Sequence, residues 1–345
     1  MAGYTVAVVG ASGLVGSLMV RVLEERCFPV KRLVPLSTIR SAGRMIRFQD
    51  REIEVQEIKK EAFEGVDLAL FAGTEGEKGA AVTYTKEAIK KGCLVIDNGN
   101  DFRMDPDVPL VVPEVNPEDI QKHKGLIANP NCSTIQMVVA LKPLYDLSRI
   151  RRVIVSTYQS VSGAGGAALR ELQMQGESHY AGRPIPPPTA LDEPILLNVI
   201  PAIGSFREDG FTTEEWKMVS ETRKILHDQD IAVSATTVRV PVVVGHSEAV
   251  YIETARKIAT REARAALERA PGVVVVDGKE ALKLTYLMPK DCAGRDEVFV
   301  GRIREDPFVA NGLHLWVVAD NLRKGAATNA IQIAECAFQV APRKG

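Results

Sequence analysis

The first third of the chain alternates short apolar runs with segments whose apolar residues recur every three to four positions. The short runs predict buried strands, and the periodic segments predict amphipathic helices. The predicted strands are 5–9, 32–36, 68–71 and 93–97, and the predicted helices are 17–25 and 80–91. Because strands that alternate with helices form parallel sheets with helical crossovers, this pattern predicts an α/β fold with a doubly wound parallel sheet.

After about residue 130 the pattern changes to longer β-branched runs that partly alternate apolar and polar positions. Such runs predict a mixed or antiparallel sheet. They are 151–162, 232–244, 249–258, 297–303 and 314–320. Helical spacing returns at 260–270 and at 325–340. We therefore predict two domains: residues 1–131 with a C-terminal segment, 321–345, packed back on them, and a second α+β domain formed by residues 132–320.

Charge and cysteine usage narrow the class of protein. The 345 residues include 43 basic and 44 acidic side chains, a formal net charge of −1, which gives no general electrostatic reason to expect nucleic acid. No apolar run approaches the roughly 18 residues of a membrane span. The five cysteines are scattered singly, which argues against a disulfide framework and against a structural zinc site. We expect a soluble cytoplasmic protein without a bound metal.

A glycine-rich stretch, GASGLVG, directly follows the first predicted strand. It contains Gly10, Gly13 and Gly16 and leads into the first predicted helix. Glycines let the backbone approach an anion, and the free N–H groups and dipole of the helix start favour a pyrophosphate. The spacing differs from the commonest dinucleotide pattern, but its place in a βαβ unit predicts dinucleotide binding.

The end of the second predicted strand bears on the choice of cofactor. An NAD site usually has a carboxylate there for the ribose 2′-hydroxyl, whereas this chain has Arg40 and Ser41 within STIRSAG. A guanidinium flanked by hydroxyls suits a 2′-phosphate through charge-assisted hydrogen bonds. The sequence therefore favours NADP over NAD, and the alternative is a solvent-exposed loop arginine.

Cys132 follows a predicted strand and precedes STIQMVVALKPLY, in which apolar residues recur at helical spacing. It therefore lies at the start of a helix, where Ser133 or Thr134 can cap. That position stabilises a thiolate and lowers the thiol pKa, and the free N–H groups can stabilise an oxyanion. The alternative is a buried structural thiol, which is the preferred interpretation of the other four cysteines.

A nicotinamide cofactor with a cysteine nucleophile indicates a specific chemistry. The thiolate attacks an aldehyde, hydride leaves to NADP, and phosphate releases the thioester; the reverse reaction reduces an acyl phosphate. This chemistry requires an acid or base near the thiol and cations for a carboxylate and a phosphate. The candidates, each with an ordinary structural alternative, are His246, Arg239, Arg103, and the pair Glu214 and Lys217, which share a helical face.

Eight segments, in this order, resemble aspartate-semialdehyde dehydrogenases over nearly the whole chain. They are GASGLVG, STIRSAG, VIDN with FRM, NPNCSTIQM, STYQSVSGAGG, EEWKMVSETRKIL, VRVPVVVGHSEAV and DNLRKGAATNAIQIAE. The resemblance implies a Rossmann-like NADP-binding domain, a catalytic and dimerisation domain with a mixed sheet, and a homodimer or a dimer of dimers. One departure is that Gly99, Asn100 and Asp101 stand where the bacterial pattern often has two serines and an alanine.

The resemblance also implies roles for single residues. Cys132 would be the acyl-thioester nucleophile, His246 the proton acceptor, and Gln159 the residue that orients the substrate. Arg239 would bind the substrate carboxylate, and Glu214 would contact its amino group.

Further implied contacts concern the neighbour of the nucleophile, the phosphate and the cofactor. Asn131 precedes the nucleophile as in the family and would contact the substrate, and Arg103 and Lys217 would bind phosphate. With Gly10 of the glycine-rich stretch, the implied NADP contacts are Ser12, Gly13, Leu14, Val15, Arg40, Ser41, Ser162, Gly163 and Asn321.

The expected reaction is the reversible NADP-dependent reductive dephosphorylation of L-aspartyl-4-phosphate to L-aspartate 4-semialdehyde, on the route to lysine, threonine and methionine. One alternative is an N-acetyl-γ-glutamyl-phosphate reductase, whose substrate carries an amide where Glu214 would meet an ammonium. Another is a catalytically silent NADP-binding relative. The joint presence of Cys132, Gln159, Arg239 and His246 counts against this second alternative.

Overall fold

The computed structural model describes residues 3–73, 79–277 and 286–341. Contacts divide the chain into two compact units, Met1–Asn131 with Ala326–Gly345, and Cys132–Gly325. The predicted domain ranges also include residues 1–2, 74–78, 278–285 and 342–345, which lie outside the described residues. The functions that the sequence assigns to the two parts stay predictions.

The first unit contains a six-stranded parallel sheet and a two-stranded hairpin. Its strands are β1 (Tyr4–Val9), β2 (Val30–Ser37), β3 (Met45–Phe48), β4 (Arg51–Glu54), β5 (Gln56–Glu57), β6 (Leu68–Phe71), β7 (Leu94–Asp97) and β8 (Leu126–Ala128). The parallel sheet has the order β5-β2-β1-β6-β7-β8, and β3 pairs with β4. Strand β6 is buried along its whole length, as expected of a parallel strand covered on both faces.

The described part of this unit has three α-helices: α1 (Leu14–Glu25), α2 (Ala80–Lys90) and α8 (Thr328–Ala337). Buried residues of α8, among them Ile331 and Ala334, share one apolar core with Met19 of α1. The Arg26 guanidinium, just after α1, donates two hydrogen bonds of 2.8 and 2.7 Å to the Glu335 carboxylate. Helix α8 is therefore part of the core of the first unit.

The described residues of the second unit form one six-stranded mixed sheet and five α-helices. The strands are β9 (Ile150–Gln159), β10 (Ala232–Arg239), β11 (His246–Thr254), β12 (Val273–Val275), β13 (Val298–Glu305) and β14 (Gly312–Ala319). The helices are α3 (Cys132–Leu147), α4 (Gly165–Tyr180), α5 (Thr213–Ile225), α6 (Thr260–Arg269) and α7 (Pro289–Cys292). The sheet order is β10-β9-β11-β14-β13-β12, parallel in its two outer pairs and antiparallel between them. The predicted fold class, a Rossmann-like parallel sheet followed by an α+β part with a mixed sheet, is confirmed.

Strand β11 positions the site because its side chains alternate between two environments. His246, Glu248, Val250 and Ile252 are buried, and α3 packs against β9, β11, β13 and β14. The start of α3 and the start of β11 are thereby brought together. Both elements begin with a residue that the sequence singles out, Cys132 and His246.

Helix α4 has no counterpart among the predicted elements. Its buried face carries the polar residues Glu171 and Gln175 beside Ala168, so apolar periodicity gives little signal. The Glu171 carboxylate accepts from the N–H groups of Thr189 (2.6 Å) and Ala190 (2.7 Å). These hydrogen bonds attach the segment around Thr189 to α4. Because the contact is polar, the helix does not need an apolar face at this point.

Two of the long β-branched runs continue past the end of the strand and into irregular structure or a 3₁₀ turn at the site. The run 151–162 ends as a strand at Gln159 and continues into a 3₁₀ turn, Val161–Ala164, and the run 232–244 ends at Arg239. Among the described residues, no helix has the length and apolar character that a membrane span requires.

Candidate active site

Cys132 is the first residue of α3, and its Sγ lies 3.3 Å from Nε2 of His246, the first residue of β11. The thiol is half-buried. Ser133 and Thr134 lie inside the first turn of the helix, so neither occupies the N-cap position that the sequence predicts for one of them. The arrangement joins a sulfur at a helix N-terminus to an imidazole from a residue 114 positions later.

The His246 ring is fully buried, and its second nitrogen contacts one residue twice. Nδ1 accepts a hydrogen bond of 3.0 Å from the Ser160 backbone N–H, and the Ser160 Oγ lies 3.1 Å from the same nitrogen. Burial, with the nearby positive charge of Arg239, holds the pKa of His246 well below its usual range. The ring is therefore neutral at pH 7, and the Ser160 N–H favours the form that carries its hydrogen on Nε2, toward the sulfur.

Two neighbouring strand ends deliver Gln159 and Arg239. These residues are paired in register at the ends of β9 and β10. Arg239 Nη1 donates to the Ser160 carbonyl at 2.9 Å. Burial lowers the pKa of Arg239, an effect that the charges of Glu214 and Cys132 oppose. A buried guanidinium with these neighbours can bind an anionic group close to the thiol.

Glu214 and Lys217 lie on one face of α5, as the spacing predicts. Glu214 Oε2 is 3.3 Å from Lys217 Nζ, and Glu214 Oε1 accepts from Gln159 Nε2 at 3.4 Å. The helix start is set by a capping box in which Thr212 and Glu215 exchange hydrogen bonds of 3.3 and 2.7 Å. This local sequence signal orients the first turn and presents the Glu214 carboxylate to the end of β9.

Ser162, Gly163 and Asn321 lie beside His246 and Arg239. A Cβ on Gly163 would meet Arg239 Nη1 at 2.8 Å and His246 Nε2 at 3.2 Å, so any side chain there would force these two groups to shift. Asn321 Oδ1 accepts from the Gly245 N–H at 2.9 Å, and its amide Nδ2 donates to Ser162 Oγ at 3.0 Å. These three predicted cofactor contacts are thus close to the thiol and the imidazole within the second unit.

The glycine-rich stretch of the first unit forms a tight turn between β1 and α1. Gly10 has φ +85°, and a Cβ on Gly16 would lie 2.1 Å from the Gly10 carbonyl oxygen. Gly13 is the N-cap of α1 without a side-chain cap, and the described first turn, which begins with Leu14 and Val15, has no acidic residue. Ser12 Oγ lies 3.0 Å from Ser37 Oγ at the end of β2. The result is a helix start open to an anion.

The loop after β2 carries the residues expected to select the cofactor. Arg40 is exposed, Ser41 is half-buried, and the Ser41 N–H closes a turn on the Thr38 carbonyl at 2.9 Å. Because β1 and β2 are adjacent and parallel, this loop and the glycine-rich turn leave the same edge of the sheet. The described loop residues 38–43 contain no carboxylate, a property that agrees with a 2′-phosphate.

Arg103 and Asn131 belong to the first unit, and both are buried. Arg103 Nε donates to the Asn129 carbonyl at 3.0 Å and Nη2 to the Asn98 carbonyl at 2.7 Å. Asn129 is in turn held by Asn329 of α8, whose Nδ2 donates to its Oδ1 at 2.7 Å. The guanidinium is therefore oriented by backbone carbonyls that follow β7 and β8. The two predicted phosphate residues, Arg103 and Lys217, come from different units.

Comparisons with known proteins show the family to which the chain belongs. The NAD binding domain of semialdehyde dehydrogenase matches residues 5–123, and the dimerisation domain of semialdehyde dehydrogenase matches residues 141–324. The aspartate-semialdehyde dehydrogenase of Aquifex aeolicus is 54% identical, with 96% of this chain and 97% of that protein covered. That of Bacillus subtilis is 50% identical with the same coverage. The chain belongs to the aspartate-semialdehyde dehydrogenase family.

A solved structure of the family has nearly the same fold. It is the crystal structure of aspartate semialdehyde dehydrogenase II from Vibrio cholerae complexed with ASA, with a TM-score of 0.94 and 45% identity. The match covers 99% of each chain. The fold of both parts is therefore that of an aspartate-semialdehyde dehydrogenase.

Sequence reasoning missed several residues that touch the site. Glu248 is fully buried on the same face of β11 as His246, and burial raises the pKa of its carboxyl well above the ordinary 4.5, an effect that Gln136 only partly offsets. Glu248 lies two residues after His246, on the same face of β11, and Gln136 lies four residues after Cys132, on the same face of α3. These spacings could have indicated both residues. Gly325 has no such signal; a Cβ there would lie 2.8 Å from that of Cys132. Ser160 is the fourth missed residue.

Proposed function

We propose that the chain catalyses the reversible reduction of L-aspartyl-4-phosphate to L-aspartate 4-semialdehyde, with release of phosphate, through a thioester on Cys132. The observation that carries the proposal is the 3.3 Å contact between Cys132 Sγ and His246 Nε2, beside the strand ends that bear Gln159 and Arg239. A nucleophile in contact with a base held by a further group is the arrangement that acyl transfer requires. Membership of the family supports the same substrate.

The first step is attack of the Cys132 thiolate on the acyl carbon. The start of α3 favours the thiolate and offers N–H donors for the oxyanion that forms. Arg239 binds the substrate carboxylate, Gln159 orients the substrate, and Glu214 contacts its ammonium group. The buried position of Glu214 strengthens that contact, because a charge pair removed from water is less screened.

His246 handles the proton of the second step. In the oxidative direction it accepts the hydroxyl proton of the thiohemiacetal, and in the reductive direction it returns that proton. The low pKa of His246, caused first by burial, keeps the imidazole in the basic form at neutral pH. Arg103 and Lys217 bind the phosphate that the reaction releases or consumes, and Asn131 contributes to substrate contact beside the nucleophile.

NADP is the proposed cofactor, and the residues of the first unit fit it. The turn at Gly10 and Gly13, where the α1 start has no side-chain cap, suits a pyrophosphate. Arg40 and Ser41 suit the 2′-phosphate. When bound, the nicotinamide accepts or supplies the hydride. Further proposed contacts are Ser12, Leu14, Val15, Ser162, Gly163 and Asn321.

We further propose a cytoplasmic homodimer or dimer of dimers in the aspartate route to lysine, threonine and methionine. The match of residues 141–324 to a dimerisation domain supports self-association. An N-acetyl-γ-glutamyl-phosphate reductase is disfavoured because its substrate offers an amide to the buried Glu214 carboxylate. A silent relative is disfavoured by the assembled Cys132 and His246 pair.

The decisive experiment is an assay of NADP reduction with aspartate semialdehyde, run with and without phosphate and beside N-acetyl-glutamate semialdehyde. We expect phosphate-dependent turnover with the first substrate and far less with the second. The matched control is Cys93→Ala, which removes a buried thiol that packs in the first unit. Turnover with only the acetylated substrate, or none with either, would overturn the proposal.

A further inference from the structure

The His246 ring is held at Nδ1 by two groups of Ser160 that differ in what they can do. The backbone N–H, at 3.0 Å, only donates, whereas the hydroxyl, with its Oγ at 3.1 Å, donates or accepts. Ser160 is fully buried. The hydroxyl is therefore the partner at this nitrogen that can adapt when the ring changes its protonation.

Proton transfer at Nε2 demands such a change. His246 can accept a proton at Nε2 only when Nδ1 carries the ring hydrogen, and the protonated ring carries hydrogen on both nitrogens. The Ser160 N–H disfavours both of these forms, because it points a second hydrogen at Nδ1. The Ser160 oxygen favours both, because it accepts from Nδ1–H.

The hydroxyl can act as an acceptor because its own hydrogen has another destination. Ser160 Oγ donates to Asn321 Oδ1 at 3.0 Å. That oxygen is oriented by the Gly245 N–H at 2.9 Å, and the Asn321 amide Nδ2 donates to Ser162 Oγ at 3.0 Å. With its hydrogen directed to Asn321, the Ser160 oxygen turns a lone pair to the ring.

We propose that the Ser160 hydroxyl is a positioning residue for proton transfer: by accepting from His246 Nδ1–H, and supported by Asn321, it makes the basic tautomer and the imidazolium of His246 accessible. In serine hydrolases a carboxylate takes this place. Here the neutral Ser160 hydroxyl and Asn321 amide take the place of that carboxylate, and the charged group nearby is the Arg239 cation. The proposal rests on the proposed function, because it assumes that His246 transfers the substrate proton.

The charged and titratable groups around the ring do not replace this contact. They are the Cys132 thiol at 3.3 Å from α3, the Arg239 guanidinium from β10, and Glu248 on the same face of β11. The charge of Arg239 opposes protonation of the ring, and burial raises the pKa of Glu248, which favours the uncharged form of its carboxyl. In the thiohemiacetal the Cys132 sulfur is bonded to the substrate carbon and carries no charge. Of these groups and the Ser160 hydroxyl, the hydroxyl is then the one that stabilises the imidazolium, by accepting from Nδ1–H.

The test is Ser160→Ala, with kcat measured against pH in both directions. Loss of a hydrogen bond to a charged group predicts that kcat falls about ten- to a hundredfold, with an unchanged KM for NADP. The variant lowers the pKa of His246, so the acid limb of the oxidative profile and the basic limb of the reductive profile both move to lower pH. A variant that is only misfolded or destabilised would not move both limbs of the pH profiles to lower pH.

Ser247→Ala is the matched control, since it removes a buried hydroxyl from the residue next to His246, which points to the opposite face of β11. It should retain the parent profile. Thermal melting and NADP binding report whether each variant is folded. A folded Ser160→Ala enzyme with parental kcat and profile overturns the proposal, whereas a folded parent that lacks phosphate-dependent turnover overturns the proposed function instead.

A second measurement uses the unmodified protein and does not depend on turnover. The ¹⁵N shifts of the His246 ring, assigned with His246→Asn, should show Nδ1 and Nε2 each partly protonated, as for two exchanging tautomers. A ring with hydrogen on Nε2 alone at every pH would mean that the backbone N–H decides the tautomer, and that the hydroxyl has no such function.

Discussion

The glycine-rich turn and the thiol site are built in opposite ways. The turn after β1 uses backbone groups from seven consecutive residues, and its specificity comes from side chains that are missing: a Cβ on Gly16 would lie 2.1 Å from the Gly10 oxygen. The thiol site uses side chains from α3, α5 and the ends of β9, β10 and β11. The backbone site therefore has no room for an added Cβ at Gly16, whereas the thiol site depends on functional groups from separate elements.

Cys132→Ala should have the largest effect, because it removes the nucleophile while leaving the glycine-rich turn intact. We expect loss of essentially all turnover with NADP binding unchanged. Cys132→Ser should lose nearly all, since an alcohol of much higher pKa attacks poorly and leaves poorly. Mass spectrometry of the parent mixed with acyl phosphate should show one adduct, at Cys132. Labelling at Cys93 or Cys292, whose pKa burial raises to about 11 and about 12, would contradict this.

Gly16→Ala tests the other region. The added Cβ meets backbone atoms rather than a flexible side chain, so the turn must shift, at a cost of about 1–3 kcal/mol. We expect a lower melting temperature and weaker NADP binding. The control is Gly176→Ala in α4, where the nearest atom would lie 3.9 Å away and alanine favours the helix. Equal NADP affinity in both variants would show that the tight turn is not required.

Arg40→Ala asks whether a side chain adds specificity to the backbone site. A charge-assisted hydrogen bond of about 1.5–3 kcal/mol implies that NADP affinity falls roughly ten- to a hundredfold while NAD affinity changes little. Isothermal titration with each cofactor measures this difference. The nearby exposed Arg44→Ala is the control. If the parent bound NADP and NAD with equal affinity, Arg40 would be a solvent-exposed loop arginine without a function in cofactor selection.

Glu248→Gln should have the smallest effect, on stability alone. Because burial raises the folded pKa of Glu248, folded and unfolded chains are both protonated below the ordinary value of 4.5. Above that value the unfolded chain ionises while the folded chain keeps its proton, so stability falls as the pH rises. The glutamine variant escapes this loss, and its advantage in melting temperature should be absent near pH 4 and grow toward pH 8.

The control for this prediction is Glu253→Gln, a half-buried residue on the opposite face of the same strand. It should show no such growth of melting temperature with pH. A Glu248→Gln variant that loses stability at neutral pH would mean that the carboxyl is ionised and paired in the folded protein.

The sequence by itself determined the features that depend on a few consecutive residues. Buried strands such as 68–71 were predictable from their short continuous apolar runs, and helices such as 80–91 from the spacing of their apolar residues. The order of strand, glycine-rich turn and helix, and the position of Cys132 at a helix start, are likewise local. For the same reason α4, whose buried face is polar, gave no prediction.

Only the tertiary structure decided which distant groups meet. The 3.3 Å contact of Cys132 with His246 depends on how α3 packs on β11. The contact of Gln159 with Glu214 depends on how α5 packs on β10, the strand that pairs with β9. Sheet register and helix packing are set by many weak contacts across the core, so no short segment contains them. The same holds for Ser160 at Nδ1 and for the raised pKa of Glu248, since desolvation and hydrogen-bond partners arise only when separate elements close on one another.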